Sequence, residues 1–191
     1  MSWAQVAKRI RVPLGFAFTA LFLWLARPTG RSLLWSLALV VPGVWLRAYA
    51  SGYVRKNAEL AVSGPYAYTR NPLYLGSMMI AFGFAAAARS WWVAGLLAGL
   101  FAAIYGPVIR GEEEFLRQAF PEFAEYARRV PRLLPRLRIP GPALSGRGPG
   151  PLGEDGGGFS ASLYRQHREY QALAGALGVY LALLLRMLWV R

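Results

Sequence analysis

Two short stretches hold most of the side chains that are equipped for chemistry. GPYAYTRNPLYLG, Gly64 to Gly76, places two prolines, three tyrosines, an arginine and an asparagine within thirteen residues. Arg110-Gly-Glu-Glu-Glu-Phe-Leu116 sets three consecutive carboxylates beside an arginine. A carboxylate pair suits an ammonium group or a diol through charge-assisted hydrogen bonds. A guanidinium such as that of Arg110 suits a carboxylate or a phosphate. The tyrosines and Asn71 add neutral donors and acceptors. Together these groups are suited to binding and positioning a polar small molecule.

Composition narrows the chemistry further. There is no cysteine and a single histidine, His167. Disulfides, thiolate metal sites and cysteine nucleophiles are therefore excluded, a histidine metal centre or catalytic triad is disfavoured, and no metal is expected. No strand-forming run leads into a Gly-x-Gly-x-x-Gly turn, so a soluble dinucleotide-type cofactor fold is not expected either.

The elements that must position the two clusters are apolar helices. Of the 191 residues 55% are hydrophobic and 16% charged, with a mean hydropathy of +0.31; soluble domains carry about 25% charged residues. Apolar runs fall near 12–26, 32–50, 73–88, 90–109 and 170–190, several of them shorter than the roughly 20 residues that span a bilayer comfortably. Arg11, Arg27 and Arg47 would then snorkel at span ends. Met1 to Arg11 is basic and no small-residue cleavage site follows the next apolar run, so no signal peptide is expected.

The net charge of +13 reads as membrane topology rather than nucleic-acid binding, because no nucleic-acid motif interleaves with it. Seventeen of the 22 Lys and Arg residues fall in 8–11, 47–70 and 110–168, which the positive-inside rule places in the cytosol. Trp24, Trp35, Trp91, Trp92 and Trp189 then lie near outer ends, and Trp3 and Trp45 near inner ends. The expected fold is all-α: a polytopic membrane bundle of about five transmembrane helices, N-terminus inside, with a cytosolic amphipathic helix over 112–129 interrupted at Pro121. Residues 1–138 form the membrane-embedded core, 139–160 a Gly/Pro-rich flexible linker, and 161–191 a C-terminal transmembrane helix. Twelve of the 19 residues from Pro140 to Gly158 are Gly or Pro. Gly95 and Gly99 make a GxxxG pattern suited to close helix packing.

Because 73–109 reads as a hairpin, the Gly64–Gly76 stretch and Glu112-Glu113-Glu114 emerge on one membrane face. That convergence makes them a candidate site. A purely structural account competes with it: Asn71-Pro72 as helix cap and first turn, tyrosines as interfacial anchors, glutamates as a solvated face.

The Gly64–Gly76 stretch resembles the G-x-Y-x-x-x-R-[HN]-P-x-Y-x-G signature of integral-membrane methyltransferases, a group that includes isoprenylcysteine carboxyl methyltransferases and phospholipid N-methyltransferases. Arg110 to Leu116 resembles their E-E-x-x-L motif, and Phe120, Tyr126, Arg129, Val130 and Pro131 follow the family's continuation, one residue shorter and with Pro121 in place of a glycine. The resemblance covers about 50–135. It implies S-adenosylmethionine as cofactor, held by Tyr66, Asn71, Pro72, Leu73 and Tyr74, by backbone near Leu60, and by the acidic pair Glu112 and Glu113. It names no catalytic residue; Arg110 and Glu113 are positioning candidates, and Arg110 is the candidate for the acceptor. Asn71 stands where a histidine is common, which argues against proton transfer there. Val108 stands where the carboxyl methyltransferases are expected to carry an arginine, which weakens a prenylcysteine acceptor.

The expected function is methyl transfer from S-adenosylmethionine to a lipid-like acceptor, an isoprenoid-linked carboxylate or a phospholipid amine, at the cytosolic membrane interface. The alternatives are a membrane-embedded NADPH-dependent lipid reductase and a non-catalytic membrane adaptor.

Overall fold

The computed structural model describes residues 18–55, 59–135 and 159–189. All the regular structure among them is helical. Helix α1 is described over 18–25, followed by α2 (Gly30–Ser51), a 3-10 turn (Gly64–Ala67), α3 (Pro72–Ala88) and α4 (Trp91–Leu100). One π-helical turn (Phe101–Tyr105) joins α4 to α5 (Gly106–Ala119); α6 (Phe123–Arg129), α7 (Ala161–Gln166) and α8 (Tyr170–Trp189) complete the chain. The expected span over 12–26 is described only from residue 18, and the expected linker lies outside the described residues except for Phe159 and Ser160.

Local chemistry sets the helix starts. Thr29 and Ser32 cap α2 reciprocally, the Thr29 N–H donating to Ser32 Oγ at 3.0 Å and the Ser32 N–H to Thr29 Oγ1 at 3.2 Å. Arg89 turns the chain in the left-handed region at φ 55°, and Ser90 caps α4 by accepting from the Val93 N–H. The π turn falls just before Pro107, whose missing N–H removes one hydrogen bond from a regular helix.

Among the described residues three helical stretches are long and apolar enough to cross a membrane: Gly30–Ser51, Trp91–Ala119 and Tyr170–Trp189; α3 is a shorter apolar helix. Trp35, Trp91, Trp92 and Trp189 are each at least three-quarters exposed. Apolar rings and leucines left outward in this number suit a lipid environment. Gly95 and Gly99 face open space among the described residues. The amphipathic stretch from 112 is not a separate element up to Pro121. It continues the fourth span to Ala119, breaks around Pro121, and resumes as α6.

Contacts divide the chain into two compact units. Of the described residues the first comprises 18–42, 78–113 and 174–189. In it the Ser32 hydroxyl donates to the Ala87 carbonyl (2.8 Å), Ser36 and Tyr180 share a hydrogen bond (2.7 Å), and Phe84 meets Tyr180 edge-on. The second comprises 43–55, 59–77, 114–135 and 159–173, with a core of Phe123, Tyr126 and Val130 against Leu60, Val62, Leu116 and Phe120.

Candidate functional site

The signature stretch begins with a glycine that no other residue can replace without strain. Gly64 has φ +57°, and a Cβ there would stand 2.6 Å from the Tyr53 ring. The closing glycine, Gly76, is required by close approach: a Cβ would meet the Gly43 carbonyl at 2.8 Å and Arg47 Cγ at 2.7 Å. Between them, Pro65, Tyr66, Thr69 and Pro72 are buried, while Asn71, Leu73 and Tyr74 are half-buried.

Hydrogen bonds donated by Tyr126, Thr69, Arg70 and Asn71 fasten this stretch to the segment that includes and follows α6. The Tyr126 hydroxyl donates to the Tyr66 carbonyl (2.8 Å), and the Thr69 hydroxyl to the Leu133 carbonyl (2.9 Å). The Arg70 N–H donates to the Pro131 carbonyl (2.9 Å), and Asn71 Nδ2 to the Arg132 carbonyl (2.8 Å). The Arg70 guanidinium also lies 6.0 Å from the Phe123 ring centroid. Burial pushes the Tyr126 phenol above its ordinary value, and the nearby Arg70 charge opposes that shift. Asn71 occupies the position before α3, and its carbonyl accepts the Leu75 N–H at 3.0 Å. Its amide nitrogen serves as a tether, so Oδ1 is its acceptor group.

Leu73 is held from its backbone. The Ser77 hydroxyl donates to the Leu73 carbonyl at 2.9 Å, and Arg47 Nη1 reaches the same carbonyl at 3.4 Å. Arg47 also donates to the Ser77 hydroxyl and makes a two-pronged ion pair with Glu169. The Arg47 charge, expected at a span end, is neutralised within the protein by an acid 122 residues away. A charge inside an apolar helix was the available signal, since such a charge calls for a partner. Thr69 carried no comparable signal. Leu60 packs against the Phe123 core.

The acidic triad is split by helical geometry. Ile109 and Glu113 are buried and Leu116 is half-buried, a spacing that puts all three on one face of α5. Glu113 is only 5% exposed, whereas Arg110, Glu112 and Glu114 are exposed. Glu114 accepts from Gln118 at 3.2 Å on the outer side. Leu60, Tyr66, Asn71, Pro72, Leu73 and Tyr74 are thus brought into one unit, while Arg110, Glu112 and Glu113 belong to the other. Among the described residues no group of three or more His, Cys, Asp or Glu could hold a metal ion.

Residues 32–122 match the phospholipid methyltransferase family model, the same integral-membrane methyltransferase group that the two motifs resemble. Over 96 residues the chain is 48% identical to the cobalt-zinc-cadmium resistance protein CzcN of Cupriavidus metallidurans, covering 50% of this chain and 44% of that protein. It is 43% identical over 96 residues to the nickel-cobalt-cadmium resistance protein NccN of Alcaligenes xylosoxydans xylosoxydans, with the same coverage. The match thus spans less than half the length of these relatives. No solved structure is significantly similar.

Proposed function

From the match of residues 32–122 to phospholipid methyltransferases, we propose that this chain transfers a methyl group from S-adenosylmethionine to a lipid-like acceptor at the cytosolic face of a membrane. That match, spanning both the signature stretch and the acidic pair, carries the reading. The residue chemistry fits the cofactor. Glu113 is a buried carboxylate on the inward face of its helix, suited to an ammonium, with Glu112 beside it. Tyr66, Asn71, Pro72, Leu73, Tyr74 and the backbone near Leu60 supply apolar walls, ring faces and hydrogen-bonding groups for the nucleoside.

Bound S-adenosylmethionine supplies a sulfonium-activated methyl, so the protein's task is alignment and exclusion of water rather than activation. The hydrogen bonds from Tyr126, Thr69, Arg70 and Asn71 hold the signature stretch rigid for that purpose. Asn71 offers no titratable group near neutrality, so it orients rather than moves a proton. Arg110, exposed beside the acids, would receive a carboxylate or phosphate of the acceptor. The orientation rests on the asymmetry of basic residues. The acceptor is an isoprenoid-linked carboxylate or a phospholipid amine, and the family match favours the amine.

The test is calorimetric titration of the detergent-solubilised chain with S-adenosylmethionine and, separately, with NADPH. Saturable binding of the first alone is expected. Binding of NADPH alone would establish the reductase reading, and binding of neither the adaptor.

A further inference from the structure

A polar recess is lined by none of the residues assigned to methyl transfer. It is an open cavity of about 520 Å³ whose lining includes Arg55, Gln166, His167, Arg168 and Gln171. Two of these carry a permanent positive charge, two carry amide donors, and none of the described lining residues is acidic. The acids described nearby do not cancel that charge. Glu169 is committed to Arg47. Glu59 contacts Arg55 at 3.3 Å, but both side chains are more than two-fifths exposed, so water screens the pair.

The recess is also built firmly. The His167 Nδ1–H donates to the Leu163 carbonyl at 2.8 Å, the role that a carbonyl partner leaves it. The Arg168 N–H donates to the Arg165 carbonyl (3.1 Å), and the Arg168 carbonyl accepts from the Gln171 N–H (3.0 Å). Arg168 itself is held at φ 54°, a left-handed conformation uncommon for a residue with a side chain.

Its surroundings indicate where the ligand comes from. Beside it, where the apolar helix α2 ends, Trp45 stacks on Tyr49 (5.1 Å between centroids), and Tyr49 and Tyr53 pack on Phe159 (6.0 and 6.4 Å). Aromatic rings gather in this way at the headgroup level of a bilayer. The recess leads into α8, another helix long enough to span. A volume of this order accommodates a lipid headgroup. We propose that the Arg55–Arg168 recess binds the phosphate of an anionic membrane lipid, as a bound lipid distinct from the methyl acceptor. Each guanidinium offers paired N–H donors that match phosphate oxygens.

The full chain, purified in a neutral detergent, is titrated with dioctanoyl phosphatidylglycerol, dioctanoyl phosphatidylcholine and inorganic phosphate. Phosphatidylglycerol is expected to bind more tightly than the other two. Arg55→Gln and Arg168→Gly should each weaken it about twofold to fivefold, the scale of an exposed ion pair, without changing affinity for S-adenosylmethionine. Glycine accepts φ 54° without strain, so Arg168→Gly should melt no lower than the wild type, which separates lost binding from lost folding. Unchanged phosphatidylglycerol affinity in both variants overturns the site. Equal binding of inorganic phosphate overturns the lipid as its source, and equal binding of phosphatidylcholine overturns recognition by charge.

Discussion

Arg47, within the apolar helix α2, grips Glu169, the residue immediately before α8, with Nη2 at 3.0 and 2.9 Å from the two carboxylate oxygens and Nε at 3.1 Å. The same guanidinium reaches the Leu73 carbonyl at the start of α3. One ion pair therefore connects the C-terminal helix, outside the family-matched segment, to the first turn of the signature helix. Removing one partner of a buried pair leaves an uncompensated charge, at about 3–5 kcal/mol when burial is complete. Arg47 and Glu169 retain 24% and 11% side-chain exposure, which lowers the expectation to about 1–3 kcal/mol. A double-mutant cycle with Arg47→Gln and Glu169→Gln, read from unfolding in detergent, should show coupling above about 1 kcal/mol. Additive effects within about 0.5 kcal/mol would mean that α8 is not tied to α3 through this pair.

Apolar runs predicted to start at 32, 73, 90 and 170 correspond to helices starting at Gly30, Pro72, Trp91 and Tyr170, because hydropathy and local caps are properties of neighbouring residues. The π turn at Phe101–Tyr105 was not legible: its single extra residue shifts the helical phase, and only the proline at 107 hinted at it. Long-range polar pairing was hidden as well. Nothing local in Thr69 or Asn71 reveals that their side chains face carbonyls more than 60 residues away. Residue type marked the candidate site, but which of three consecutive glutamates is buried depends on the face that α5 presents.

The tether between Tyr126 and Tyr66 has a defined pH window. Tyr126→Phe deletes a donor to a buried carbonyl, so it should destabilise the protein by about 1–3 kcal/mol at neutral pH. The folded phenol titrates above its ordinary value of 10.0. A raised pKa contributes stability that is fully present below 10 and is lost as pH climbs through the folded value. The stability difference between wild type and Tyr126→Phe should therefore be constant from pH 7 to 9.5 and shrink above 10. A difference that shrinks below pH 9 would assign the effect to another group.

Asn71 and Tyr74 separate a ligand-binding wall from a well-built helix start. As a tether and helix start, Asn71 contributes stability of about 1 kcal/mol. As a ligand it contributes affinity as well. Asn71→Ala and Tyr74→Ala are expected to weaken S-adenosylmethionine by more than their melting shifts account for, as measured by calorimetric titration and thermal unfolding in one detergent. Variants that melt earlier yet bind normally would reduce the stretch to scaffold.

The split of the acidic triad gives the most discriminating prediction. Glu113 is buried on the face shared with Ile109 and Leu116, whereas Glu112 points outward and is exposed. A charge-assisted hydrogen bond shielded from water contributes about 1.5–3 kcal/mol, whereas an exposed ion pair contributes about 0–1 kcal/mol. Glu113→Gln, which keeps the shape and removes the charge, should therefore weaken S-adenosylmethionine about tenfold to a hundredfold. Glu112→Gln should weaken it by at most about fivefold. Helix content, followed by circular dichroism, should be unchanged in both. A Glu113→Gln variant that loses melting temperature but keeps full cofactor affinity would make this carboxylate a structural group. A larger loss in Glu112→Gln than in Glu113→Gln would place the cofactor's ammonium on the exposed side of α5.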